Sequence, residues 1–139
     1  MTWQCVAAGA NGLVFYSFFD LFKMNDRDPF ERRWAEVCAL GEEIKRYLPV
    51  LLSVEPLPQL VCKGPASVET RAWRVGSSLY LLAVNGDTAA AAAEVTVAGG
   101  FADLHAEFGQ APKALAGNRL AFRLDPLDPV MVRVTLGTK

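Results

Sequence analysis

Residues 12–20 have the sequence GLVFYSFFD, and the predicted architecture of the chain depends on this stretch. Its apolar residues are interrupted only by Ser17 and do not alternate with polar ones, which is typical of a strand buried on both faces in a parallel sheet. Such a strand needs parallel neighbours, and apart from residues 50–54 the N-terminal part of the chain offers no comparable run. We therefore expect the chain to be the end of a larger protein.

The composition limits the possible partners. Of the 139 residues 52% are apolar and the formal net charge is -1, as expected for a globular domain, alone or with an attached fragment. A chain without a basic stripe has no electrostatic footprint for nucleic acid or an anionic membrane, so we predict neither partner. No run reaches the ~18 apolar residues of a membrane span. The sequence carries no targeting segment that would indicate a location.

The residues that most often bind transition metals are few and widely spaced. Cys5, Cys38 and Cys62 are the three cysteines and His105 is the one histidine, a distribution that matches no zinc or iron–sulfur pattern. We therefore expect no metal and no cofactor. We expect the three cysteines to be buried free thiols, which is the usual state of cysteines outside such patterns.

A second helix is predicted after the central strand. Asp28 is a candidate N-cap, Pro29 a candidate first helical residue and Glu31 completes a capping box. Pro49 is expected to end the helix, and Gly41 inside it suggests a close approach to another element. An apolar stripe at spacings of three and four residues predicts the buried side: Phe30, Trp34, Val37, Gly41, Ile44 and Leu48.

From residue 67 onward the pattern changes to alternation, which is typical of half-buried antiparallel strands. A hairpin is predicted around residues 76–78, because a short glycine- and serine-containing turn separates two alternating runs. The turn-punctuated pattern predicts a small antiparallel β-sandwich or Greek-key domain. The predicted strands are residues 67–75, 79–85, 95–97, 102–108, 120–124 and 130–136.

The predicted fold class is therefore α+β, with a short helix–strand–helix segment packed on an antiparallel β-domain. Residues 1–49 form the helix–strand–helix segment, residues 50–66 a proline-rich connector and residues 67–139 the β-sandwich domain.

Four stretches together resemble a known layout, and the resemblance covers essentially the whole chain. They resemble the C-terminal end of a glycoside-hydrolase-type (β/α)₈ barrel protein, in which the last barrel strand and helix lead through a connector into an all-β C-terminal domain. The stretches are TWQCVAAGANGLVFYSFFD (2–20), EEIKRYLPVLLSVEP (42–56), WRVGSSLYLLAVNGD (73–87) and RLAFRLDPLDPVMVRV (119–134).

The resemblance implies a non-catalytic C-terminal portion of a glycoside-hydrolase-like protein, with the β-domain in a structural, supporting role. Glycosidases need two carboxyl groups about 5 to 9.5 Å apart, and in such barrels the pair comes from earlier strands. We therefore predict that this chain alone is inactive and contains no catalytic residue. Asp20, with Ser17 and Tyr16 beside it, lies at the strand end where such barrels bind ligands, so these residues are candidates for a carbohydrate subsite in the parent protein.

An alternative function stays open, namely a free-standing carbohydrate-binding or protein-interaction β-sandwich module. Trp73, Tyr80, Phe101 and Phe108 would serve such a module as a stacking platform if they shared an exposed face. Burial of these aromatic residues would favour the supporting role.

The central strand also predicts self-association. Trp3, Val6 and Ala7 lie at helical spacing on a short N-terminal helix, and the strand after it has two apolar faces. Because an exposed apolar patch marks an interaction site, we expect a homodimer or a higher closed oligomer in which residues from Trp3 to Phe22 contribute to the interface.

Overall fold

The structure is a computed structural model, and it describes residues 2–14, 21, 29–115 and 118–137. The chain divides into two units, one of residues 1–11 with 53–139 and one of residues 12–52. The helices and strands of the described residues are α1 (Thr2–Ala7), α2 (Phe30–Leu51), β1 (Leu60–Lys63), β2 (Val68–Val75), β3 (Ser78–Asn85), β4 (Ala91–Val97), β5 (Phe101–Phe108), β6 (Lys113–Leu115), β7 (Arg119–Leu124) and β8 (Pro129–Leu136).

The strands form two four-stranded sheets in which every pair of neighbours is antiparallel. Sheet I has the order β1-β4-β7-β6 and sheet II the order β2-β3-β8-β5. Consecutive strands often change sheet, as they do from β3 to β4, from β4 to β5 and from β7 to β8. The predicted α+β fold with a β-sandwich-like arrangement is confirmed.

The two sheets share one hydrophobic core. In β7 the buried side chains alternate with more exposed ones, as the sequence predicts for a strand with one face in the core. The core contains side chains from both sheets: Leu79, Leu81, Ala83, Val95, Val97, Leu120, Phe122, Leu124, Val130, Val132 and Val134.

The predicted hairpin is confirmed, since β2 and β3 pair along their whole length around a turn at Gly76, which has a positive φ of 60°. β4 is longer than its predicted strand and includes Ala91, Ala92 and Ala93. These alanines favour a helix in isolation, but pairing with β7 and burial of Ala93 outweigh that small preference.

Sheet II buries side chains on its outer face as well as on its core face. Leu82, Val84 and Met131 point away from the core cluster, because they alternate with core residues along β3 and β8, and their exposed fractions are 0%, 1% and 0%. Helix α1 packs against β2 and β3. Its Trp3 ring lies 5.0 Å from that of Phe108 on β5. Helix α1 is therefore a third layer of the β-domain.

Arg71 on β2 holds the C-terminal end of α1. Its guanidinium donates hydrogen bonds to the carbonyl oxygens of Val6 and Ala10, at 2.9 and 3.3 Å, and to the side-chain oxygen of Asn11 at 3.4 Å. The last carbonyl groups of a helix lack partners within the helix and carry partial negative charge. Arg71 supplies both the donors and the positive charge. The predicted grouping of residues 1–49 differs from the observed units because these contacts join α1 to the β-domain.

The start of α2 differs from its predicted position by one residue. The helix begins at Phe30 and Pro29 is the N-cap, without a side-chain cap hydrogen bond, whereas Pro29 was predicted as the first helical residue. The Pro29 carbonyl accepts hydrogen bonds from the backbone N–H groups of Arg32 and Arg33 at 3.2 and 3.4 Å. The predicted cap Asp28 lies outside the described residues.

One prediction inside α2 is wrong, and a second has no support among the described residues. The helix continues past Pro49 to Leu51, because the proline removes one donor near the end while the backbone N–H of Leu52 still bonds to Leu48 O at 3.0 Å. Gly41 makes no close approach to a described atom, since an added Cβ would have none within 4 Å. The apolar stripe is only partly buried, and the buried residues of α2 are Tyr47 and Val50.

The predicted connector is bonded to the β-domain at both ends. Residues 60–63 form β1 and pair with β4. The Ser53 hydroxyl donates a hydrogen bond to Arg74 O, and the two carboxylate oxygens of Glu55 accept the Gly76 N–H at 3.1 and 3.0 Å. The connector is therefore held along the turn of the β2–β3 hairpin.

We predict that Arg71→Met lowers the free energy of unfolding by about 1–3 kcal/mol, because the carbonyl groups of α1 lose their charged partner. Urea unfolding followed by circular dichroism measures the change. The control is Arg123→Met on the exposed side of β7, for which a change within about 0.5 kcal/mol is expected. Equal effects of the two substitutions would contradict the proposed anchoring.

We predict that alanine has opposite effects at two glycines. Gly109 has a φ of 75°, and an added Cβ would lie 2.6 Å from the backbone oxygen of Pro129, so Gly109→Ala should destabilise the protein by roughly 1–3 kcal/mol. Gly41→Ala should stabilise it by up to about 1 kcal/mol, because alanine favours a helix and no atom of the described residues lies within 4 Å of the added Cβ. Unfolding midpoints test both, and a stabilising Gly109→Ala would show that the turn before β6 can rearrange.

Candidate functional site

The predicted subsite residues Tyr16, Ser17 and Asp20 lie outside the described residues. The described beginning of the predicted central strand is residues 12–14, which are not in a strand. Val14 there is 93% exposed. The burial predicted for residues 12–20 is therefore not found at this position.

An open cleft of about 530 Å³ lies where α1 meets the adjoining ends of β2 and β3. Helix α1 contributes one wall, the turn before β2 a second and the turn after β3 a third. The cleft is lined by Gln4, Cys5, Ala8, Ala66, Ser67, Glu69, Val84, Gly86 and Asp87. Hydrogen-bonding groups and small apolar residues are thus mixed around it.

The turn after β3 is built by Asn85, a fully buried polar residue. The Asn85 amide donates a hydrogen bond to Ala89 O at 2.7 Å, and its oxygen accepts the Asp87 N–H at 3.1 Å. Such side-chain bonds to the backbone two residues on are what make asparagine favourable in turns. Across the cleft the Gly86 N–H bonds to Ser67 O at 2.8 Å, which joins the two turns.

The cleft has the chemistry of a polar contact surface more than that of a catalytic centre. One carboxylate oxygen of Asp87 already accepts bonds from the backbone N–H and the hydroxyl of Thr88, at 2.6 and 3.4 Å, so this group supports its own turn. Glu69 is exposed. Gln4, Ser67 and Glu69 offer donors and acceptors to a polar ligand, without an aromatic ring on which a sugar could stack. Local sequence patterns do not indicate this group, because Gln4 is far from the others along the chain.

The aromatic residues considered for a stacking platform do not form an exposed row. Trp73 is buried, and Tyr80, Phe101 and Phe108 are half-buried. Trp73 instead faces the Arg71 guanidinium, whose carbon lies 5.2 Å from the ring centre. This arrangement favours packing as the role of the four residues.

The prediction that the three cysteines are buried is wrong, because Cys5, Cys38 and Cys62 are free and exposed. Cys5 lies on the side of α1 opposite the buried Trp3 and Val6, and Cys62 lies on β1 at the edge of sheet I. No group of three or more potential metal ligands occurs within residues 2–14, 21, 29–115 and 118–137. In the same part of the chain, no helix combines the length and the apolar character that crossing a membrane requires.

Comparison of the chain with protein-family models, curated proteins and solved structures finds no significant match.

Proposed function

We propose that this chain is the non-catalytic C-terminal portion of a glycoside-hydrolase-like protein and that its β-domain has a supporting role. One observation carries the proposal, namely that sheet II buries large apolar side chains on its outer face as well as on its core face. A sandwich that acts alone usually exposes the outer face of each sheet and places polar residues there. The outer face of sheet II instead buries Leu82, Val84 and Met131 as fully as the core buries its own residues.

The helical layer on sheet II is attached by polar contacts as well as by packing. Arg71 bonds to the end of α1, and the connector bonds to the β2–β3 hairpin through Ser53 and Glu55. These contacts join segments that lie before the β-domain in the chain to the sheet itself. A domain that binds its own preceding helix and connector in this way is suited to supporting that part of the protein.

The alternative of a free-standing carbohydrate-binding module has less support. The cleft offers polar groups but no aromatic lining, and the four candidate aromatic residues are buried or half-buried. Within the supporting role, Asp20, Ser17 and Tyr16 are proposed to line a sugar subsite of the parent protein. The homo-oligomer stays a prediction; Trp3, Val6 and Ala7, which belong to its expected interface, are buried in the single chain.

We predict that Val6→Asp uncovers the outer face of sheet II. Val6 is 5% exposed, and a buried unpaired carboxylate is costly enough to displace a helix of only six residues. The variant should bind an apolar-surface dye and unfold at a lower denaturant concentration. The control Cys5→Asp introduces the same charge on the exposed side of α1 and should behave as the wild type. Equal behaviour of both variants would contradict the proposed layer.

We predict that the isolated chain hydrolyses neither aryl glycosides nor oligosaccharides above background, because the resemblance assigns the catalytic carboxyl pair to strands before this chain. Product release measured at several pH values tests this. Turnover by the wild-type chain that Asp20→Asn abolishes would contradict the non-catalytic role.

A further inference from the structure

The outer face of sheet I differs from that of sheet II, because most of its charged residues are basic and exposed. We call it the basic face and define it by Lys63, Lys113, Arg119 and Arg123, with Glu94 among them. All four cationic residues are exposed. The face holds four cations and one carboxylate in a chain whose net charge is -1, so the excess of acidic groups lies elsewhere.

Strand register brings three of these cations around one small residue. Arg119 and Arg123 lie two positions before and after Ala121 on β7, and they point outward because Leu120, Phe122 and Leu124 enter the core. Lys113 on β6 is directly opposite Ala121. Residues opposite each other have Cβ atoms about 5 Å apart, and residues two positions apart along a strand are about 7 Å apart. The three positive groups therefore surround the small side chain of Ala121.

The single carboxylate of the basic face lies on the other side of Ala121. Glu94 on β4 is opposite Ala121 and forms an ion pair with Arg119 at 3.4 Å, with the two side chains 43% and 47% exposed. An exposed pair of this kind contributes little to stability. The Arg119 guanidinium therefore remains accessible to a competing anion, while Arg123 and Lys113 add further positive charge.

The size of the basic face favours a narrow polymer over a protein surface. Three strand spacings give a width of about 14 Å, and six residues of β7 give a length of about 20 Å. The resulting area, about 280 Å², is well below the ~800 Å² that each partner contributes to a stable protein–protein interface. A single extended polysaccharide chain can lie across such a face.

The chemistry of the basic face favours an acidic glycan over nucleic acid. Single-stranded nucleic acid binds by stacking its bases on aromatic side chains, and the described outward residues of sheet I include none: Val61, Lys63, Ala92, Glu94, Thr96, Lys113, Leu115, Arg119, Ala121 and Arg123. Nucleic acid also has a high charge density, which the acidic remainder of the chain would repel. Arginine side chains can bind carboxylates with two hydrogen bonds.

We propose that the basic face binds a polysaccharide containing uronic acid, whose carboxylates pair with Arg119, Arg123 and Lys113. The charges of the basic face would suit any polymer that carries carboxylates, and the choice of a glycan rests on the proposed function. The inference deepens that function, because it names a substrate class for the parent protein. Recognition of the parent's polymer by its supporting domain would raise the local concentration of substrate.

The test is calorimetric titration of the full chain with a short oligogalacturonate at low salt. Arg119→Gln combined with Arg123→Gln should weaken binding at least about tenfold, and Glu94→Gln should strengthen it about two- to fivefold. A folding defect would weaken binding in both variants, whereas a binding role predicts weaker binding for the arginine variant and stronger binding for Glu94→Gln. The matched control, Arg32→Gln with Arg46→Gln on the exposed side of α2, changes the net charge equally and should alter affinity by less than about twofold.

Several results would overturn the proposal. These are no binding by the wild-type chain, an equal loss in the α2 control, and binding of oligodeoxythymidylate as tight as that of the oligogalacturonate. A neutral malto-oligosaccharide should not bind, and its binding at the same affinity would also contradict a charge-based site. The outcome is separable from the supporting role, because dye binding by Val6→Asp and glycoside turnover do not involve the basic face.

Discussion

Burial of large apolar side chains on both faces of sheet II is the constraint on which the rest of the described β-domain depends. The core face is covered by sheet I, and the other face needs a cover because β3 and β8 carry large apolar residues on alternate sides of the sheet. Burying a Leu or Met side chain contributes about 1.5–3 kcal/mol relative to leaving it exposed. A short helix that would be unstable alone is thereby retained as a structural layer.

Polar contacts fix the positions of α1 and the connector on the β-domain. The Arg71 guanidinium bonds to the end of α1 while it faces Trp73, so one side chain satisfies helix carbonyl groups and packs over an aromatic ring. Beyond the C-terminal end of β2, the Glu55 carboxylate accepts a hydrogen bond from the backbone N–H of Gly76 in the hairpin turn. Apolar burial supplies most of the stabilisation, whereas these directional bonds determine which helix and which connector occupy the surface.

The two outer faces of the sandwich have different physical properties, and a division of roles is consistent with this. The outer face of sheet II carries buried apolar residues and has α1 packed on its strands β2 and β3, which supports the proposed scaffold role. Sheet I presents an exposed face with cations around Ala121, where a bound anion would remain accessible to solvent. A domain with one covered and one charged face can support a neighbouring segment and contact an external ligand at the same time.

The sequence alone predicted β2, β3, the end of β4, β5, β7 and β8, because alternation along β7 and the turn residues around Gly76 are local properties that survive in the fold. It did not predict the short strands β1 and β6. It also indicated the N-terminal helix and the long α2. Two other predictions from the sequence were wrong, namely the end of α2 at Pro49 and the burial of the three cysteines. The tertiary structure alone decided that α1 belongs to the β-domain, that the cleft brings Gln4 to Asp87, and that Lys113, Arg119 and Arg123 share one face. These features depend on sheet order and register between residues far apart in the chain, which local periodicity does not encode.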